Sequence, residues 1–250
     1  MDELRVIPLR RIGEVHRGDR VAAILLAALG RQRLKLQPGD IVVVKHKIVS
    51  KAEGKIVRLD DVRPTAATQR WAQRYGLDAR SVQLGLREAR RVVRRGHGVL
   101  ITETAHGFVC ANSGVDVSNV DGGTSAVLLP DDPDASASRI HREIRRRMGI
   151  AIPVIISDSF GRPWREGLTE VAIGAAGMKV FRDLRGKSDS YGYRLRVTLE
   201  AVADELASAA GLMCEKSSQT PACLIRGFNF QPGRGRAREI IRAPERDLFR

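Results

Sequence analysis

Along the chain, apolar residues fall into two rhythms: short β-branched runs closed off by turn residues, and longer stretches spaced for one face of a helix. Residues 5–9 predict a strand and residues 19–29 a helix, with Asp19 placed to cap it. The turn Pro38-Gly39-Asp40 bounds the run Ile41-Val42-Val43-Val44, whose β-branched content predicts a buried strand leading into a polar segment over 45–54. Helices are predicted over 65–75 and 79–94, divided by Gly76. Residues 99–102 and 108–111 read as a hairpin around His106-Gly107, followed by a loop over 112–123 rich in Asn, Gly, Asp and Ser. Beyond the linker Pro130-Asp131-Asp132-Pro133-Asp134, Asp134 is placed to cap a helix ending near Met148. Val154-Ile155-Ile156 predicts another buried strand, running directly into Ser157-Asp158-Ser159. Loops are expected over 161–167, 187–193 and 214–221, an amphipathic helix over 197–211, and a strand over 222–225. After Pro232 the chain is basic, with little to anchor it before Ala243.

The irregular alternation of strands and helices, with hairpins among them, points to an α+β or mixed α/β architecture rather than an all-parallel sheet. A length of 250 residues allows one large domain or two small lobes. The opening Met1-Asp2-Glu3 does not resemble a signal peptide, so none is expected, and the longest apolar stretch, 21–29, falls short of the ~20 residues a bilayer requires. The expectation is a soluble, cytoplasmic protein with no membrane partner. Cys110, Cys214 and Cys223 lack the spacing of a disulfide framework or a zinc site and read as buried, reduced thiols. The formal charge of +14 attracts polyanions, nucleotides and nucleic acid among them. Much of it sits in Arg87, Arg90, Arg91, Arg94 and Arg95, and in Arg142, Arg145, Arg146 and Arg147, on predicted helices whose faces are solvated. Aromatics, at 4%, do not interleave with these arginines, which argues against a platform for single-stranded nucleic acid.

Three carboxylates in separate polar segments carry the candidate chemistry: Asp116, Asp158 and Glu215. Singly, each reads as a turn residue or helix cap. Together they would make a cage of hard oxygens for Mg²⁺ or Mn²⁺, with Ser159 adding a hydroxyl. Lys51, after a buried strand, is either an exposed loop lysine or a point charge for a phosphate. No P-loop, His-Glu-x-x-His helix or Gly-x-Ser-x-Gly elbow occurs, and Gly122-Gly123 is too little for a dinucleotide fingerprint.

The segments gain specificity as an ordered set. Ser50-Lys51-Ala52-Glu53-Gly54 is followed by Gly114-Val115-Asp116-Val117-Ser118-Asn119-Val120, then by Ile156-Ser157-Asp158-Ser159-Phe160-Gly161-Arg162 and Val171-Ala172-Ile173-Gly174. Asp189-Ser190-Tyr191-Gly192, Val202-Ala203-Asp204-Glu205-Leu206-Ala207 and Pro221-Ala222-Cys223-Leu224-Ile225-Arg226-Gly227 complete the series. In this order, over roughly residues 5–230, the chain resembles the F420-0:L-glutamate ligases, or coenzyme F420 γ-glutamyl ligases.

The resemblance implies a family-specific fold of two closely packed lobes around mixed sheets, within one ligase domain over 1–250 and without the flavin-binding domain that some relatives add. It implies a GTP-dependent ligation in which F420-0 is phosphorylated on its carboxylate and then attacked by L-glutamate. Asp116, Asp158 and Lys51 would be catalytic. Asp116 and Asp158 would ligate metal, with Ser159 and Glu215 serving a second Mg²⁺ or Mn²⁺, and a monovalent cation would join them. The nucleotide would meet Ile12, Gly13, Glu14 and Val15, then His46, Lys47, Lys51 and Asn119, and the loop of Cys214, Glu215, Lys216, Ser217, Ser218, Gln219 and Thr220. The chain departs from the family at Ser159, often Thr, at Cys214, usually Gly, at Lys216, and at Lys45-His46-Lys47, where small hydroxyl residues are usual. A homodimer is implied by analogy. The alternatives are the same chemistry on a related deazaflavin acceptor, or a nucleic-acid-binding protein on charge alone, with no specific nucleic acid expected as partner.

Overall fold

In this computed structural model, residues 3–118, 120–214 and 219–248 are described. In chain order the elements are β1 (Arg5–Pro8), α1 (Val21–Arg31), β2 (Ile41–Lys45), α2 (His46–Ala52), β3 (Ile56–Arg58), α3 (Ala66–Arg74) and α4 (Ala79–Arg87). There follow β4 (Ala89–Gly96), β5 (Val99–Thr104), β6 (Val109–Ala111), β7 (Ser125–Val127), α5 (Pro133–Met148), β8 (Val154–Arg162) and β9 (Arg165–Ala176). Last come β10 (Arg182–Asp183), β11 (Leu199–Glu200), α6 (Val202–Gly211) and β12 (Ala222–Arg226).

The β-branched run that forms β2 lies at the centre of a five-stranded mixed sheet of order β1-β12-β2-β8-β9. Only β2 and β8 run parallel in it; the other neighbours are antiparallel. Side chains alternate across a strand, so β2 feeds two cores. Val42 and Val44 face α1 and α5 through Leu25, Leu29, Ile140 and Ile144. Ile41 and Val43 face α6 through Val202, Leu206 and Ala210. Both faces are covered, which is why β2 reads as a continuous apolar run. Each such side chain contributes about 1.5–3 kcal/mol by leaving water.

Between α2 and α5 the chain builds a smaller body from the β3–β7 ribbon, the β4-β5-β6 sheet, α3 and α4. Its cores are small, centred on Leu59, Leu84 and Ala126 and on Ala72, Val82 and Leu100. The architecture is the expected mixture of helices with mixed and antiparallel sheets.

Several local expectations change. The helix expected over 79–94 ends at Arg87, and Ala89–Gly96 is a strand instead. The Val92-Val93 pair favours extended backbone, and buried Glu103 on β5 receives Arg91 at 2.8 Å and Arg90 at 3.3 Å. Arg90, Arg91, Arg94 and Arg95 therefore belong to a strand. The segment 45–54 is largely the short buried helix α2. Residues 161–167 are mostly hairpin, since β8 and β9 stay paired out to Arg162 and Arg165. Asp158 and Ser159 thus lie inside a strand, not in a loop after one.

Asp19 accepts from the His16 amide and leaves the cap position of α1 to Arg20. Asp132, not Asp134, caps α5, accepting from the Ala135 amide at 2.9 Å with Pro133 in the first turn. Asp134 is buried and accepts from the amides of Ala175 and Ala237 at 2.9 and 2.7 Å. The basic tail is thereby anchored at Ala237, which is fully buried. The helix expected over 197–211 begins at Val202, because Leu199–Glu200 pairs with Arg182–Asp183 and Val197 is exposed.

Candidate active site

Where the parallel pairing of β2 with β8 ends, at Lys45 and Ser157, the chain opens a cleft of about 450 Å³. Loops leaving the carboxyl ends of parallel strands are a usual place for a site. Four chain segments wall it: residues 12–15 after β1, the β2–α2 junction from Lys45 to Lys51, Asp116 from the smaller body, and Asp158-Ser159 of β8. Cys214, Gln219, Thr220 and Pro221, on the approach to β12, close the remaining side.

Asp116 is held by its backbone and by its neighbours. Its amide and carbonyl pair with Val127 at 3.0 and 2.8 Å. Upstream, Asn112, Ser113 and Gly114 all have positive φ, and a Cβ at Gly114 would meet Leu129 at 2.8 Å. Glycine is the residue that fits there. The Ser113 hydroxyl donates to the Gly85 carbonyl at 2.7 Å and fixes the loop. The Asp116 carboxylate accepts from the Ser118 amide at 2.7 Å and lies 3.0 Å from Lys47 Nζ. Burial pushes this carboxyl up, but the hydrogen bonds from Ser118 and the Lys47 ammonium together hold it below the usual carboxylate range.

Asp158 accepts from the Ser159 amide at 2.7 Å and faces His46 Nε2 at 3.3 Å. His46 is buried, and its Nδ1 lies 3.2 Å from Ser50 Oγ. Both contacts are satisfied when Nε2–H donates to Asp158 and Nδ1 accepts from the Ser50 hydroxyl. Around these acids stand three lysines, each with a carboxylate: Lys45 with Glu170, Lys47 with Asp116, and Lys51 with Glu14. Lys51 is only 8% exposed and sits in α2, so the reading of it as an exposed loop lysine fails. Cys214 and Cys223 are buried with sulfurs 3.2 Å apart. Cys110 is pushed up to about 12 by burial and by the nearby Asp158 charge.

Ile12, Gly13, Glu14, Val15, His46, Lys47, Lys51, Asp116, Asp158, Ser159, Cys214, Gln219 and Thr220 all line this one cleft. Asn119, Glu215, Lys216, Ser217 and Ser218 lie outside the described residues. Among the described residues no three His, Cys, Asp or Glu side chains converge as a metal cage. Asp116, Asp158 and Ser159, which line the cleft, carry hard oxygen donors of the kind that suits Mg²⁺ or Mn²⁺. Sequence reasoning missed Glu170, which reaches Ser157, Ser159 and Lys45 from β9. Only the register that sets Ser159 opposite Glu170 reveals it.

A family model described as F420-0:Gamma-glutamyl ligase matches residues 10–227. The chain is 42% identical over 252 residues to the coenzyme F420:L-glutamate ligase of Methanopyrus kandleri, covering 99% of this chain and 98% of that one. The protein of the same name from Methanothermobacter thermautotrophicus is 43% identical over 236 residues, 93% of either chain. That from Archaeoglobus fulgidus is 38% identical over 248 residues, 99% of this chain and 96% of its own.

Proposed function

Because the chain belongs to the F420-0:gamma-glutamyl ligase family, we propose that this enzyme joins L-glutamate to the deazaflavin precursor F420-0, with GTP as the phosphoryl donor. A carboxylate is a poor electrophile until one oxygen becomes a good leaving group. In this reading an oxygen of the F420-0 carboxylate attacks the γ-phosphorus of GTP, GDP departs, and an acyl phosphate results. The glutamate amine then attacks the acyl carbon, inorganic phosphate leaves, and the amine gives up a proton as the amide forms.

The chain's own residues would bind and orient. Lys47 and Lys51 offer positive charge to phosphate oxygens from one helix, and Lys45 adds to the field from the end of β2. Residues 12–15 and the segment before β12 line the walls against which a nucleotide would lie. Asp116, Asp158 and Ser159 would hold divalent cations, joined by Glu215. Such ions, when bound, would supply positive charge against the negative charge that develops on the transferred phosphoryl group. Positioning and electrostatics are what a site of this kind supplies. A homodimer fits the large apolar side chains left exposed on and near the β8–β9 hairpin, Trp164 and Leu168, and in the loop that carries Tyr191.

The observation that carries the reading is the meeting of Asp116, Asp158 and Ser159 with three lysines around one cleft. GDP release should require F420-0, glutamate and a divalent cation together. Asp116→Ala and Asp158→Ala should each lose at least about 100-fold in kcat, the scale expected when transition-state charge stabilisation is removed. Full turnover in both variants would remove the site assignment.

A further inference from the structure

We infer that Glu170 is a positioning residue that fixes the Ser159 hydroxyl as an oxygen donor to a divalent cation, an inference that rests on the proposed metal-dependent ligase reading. Glu170 projects from β9 directly opposite Ser159 on β8 and is 8% exposed. One carboxylate oxygen accepts from Ser157 Oγ at 3.0 Å. The other accepts from Ser159 Oγ and pairs with Lys45 Nζ. Its backbone carbonyl accepts from Ser208 Oγ at 2.8 Å. The carboxylate is seated under α6 where Gly211 leaves room, since a Cβ there would lie 2.5 Å from Glu170 Cγ.

A serine hydroxyl carries one proton and two lone pairs. With the Ser159 proton committed to Glu170, its lone pairs are left to accept a cation from the cleft that Ser159 lines. Groups that orient metal ligands in this way commonly set affinity. A carboxylate that merely tied β8, β9 and α6 together would set stability and nothing else.

The two roles separate in a titration of the purified protein with Mn²⁺ alone, followed by the electron paramagnetic resonance of the free ion, with Tm measured alongside. Glu170→Gln keeps the side chain's size and should weaken Mn²⁺ binding about 10–100-fold. Ser159→Ala should weaken it to a similar extent, and the double variant should lose no more than the worse single one, because Glu170 acts through Ser159. Should Glu170→Gln fail to fold, Glu170→Asp carries the same test, since its shorter arm withdraws the carboxylate from Ser159. Wild-type affinity in the folded variant, or losses that simply add, would overturn the inference while leaving the ligase reading in place. Complete loss of binding would make Glu170 a ligand in its own right and also overturn it. A wild-type protein that binds no Mn²⁺ would overturn both.

Discussion

Asp116 and Asp204 are both partly buried carboxylates, and their neighbours drive them in opposite directions. At Asp116 burial is outweighed by Ser118 and Lys47, and the carboxyl stays ionised to lower pH than usual. At Asp204 burial dominates and pushes the carboxyl up; the Ala172 amide opposes it at 2.9 Å and the Glu205 charge adds to it. A carboxyl raised on folding costs nothing below its unfolded pKa, where both states hold the proton. The cost grows as pH rises towards the folded pKa and is constant above it. Asp204→Asn cannot ionise and keeps an oxygen for Ala172. Its Tm relative to wild type should therefore climb as pH rises from about 3.5 to about 7. A difference that is flat across that range would contradict the burial argument.

At the scale of elements, the site depends on how β8 and β9 pair. Their register slips between Ile156–Gly174 and Ser157–Ala172, leaving Ile173 as an extra residue just before the site begins. Such bulges re-aim the side chains that follow. Next to it, Gly174 lies so close to the start of α5 that a Cβ would meet the Pro133 carbonyl at 2.3 Å. That carbonyl is backbone and cannot swing aside. Gly174→Ala should cost about 1–3 kcal/mol, read as a lower midpoint in urea denaturation. An unchanged midpoint would show that β9 and α5 part without strain.

The same pairing marks the boundary of what the sequence reveals. The runs of β2, β8 and β12 were legible because strands buried on both faces leave a continuous apolar signal. The end of α4 was not, because an arginine-rich stretch satisfies helical and extended patterns alike until Glu103 is seen opposite it. Asp116, Asp158, Ser159 and Lys51 stood out as motif residues and do share a cleft. Glu170 carries no local mark of its role, since its partners Ser157, Ser159 and Lys45 lie on other strands. Lys51 was ambiguous because burial of α2 depends on tertiary packing rather than on its own seven residues.

Over the whole molecule, the charge of +14 is not concentrated in the cleft, where each lysine meets a carboxylate. Part of it is carried by outward arginines: Arg94 and Arg95 of β4, where Arg95 stacks 4.2 Å above the Trp71 ring, and Arg145, Arg146 and Arg147 in the last turn of α5. Cations in that last turn complement the helix dipole. Among the described residues no helix is long and apolar enough to cross a membrane. At this scale the junction of the main sheet with the smaller body sets Asp116 and Asp158 on one cleft. The most direct measurement is the anomalous scattering of manganese in crystals soaked with Mn²⁺ and GDP. The account predicts a peak within coordination distance of both the Asp116 and the Asp158 carboxylates, close to the roughly 2.0–2.1 Å of Mg²⁺–oxygen bonds. Manganese bound elsewhere, with those two carboxylates still on Lys47 and His46, would contradict it.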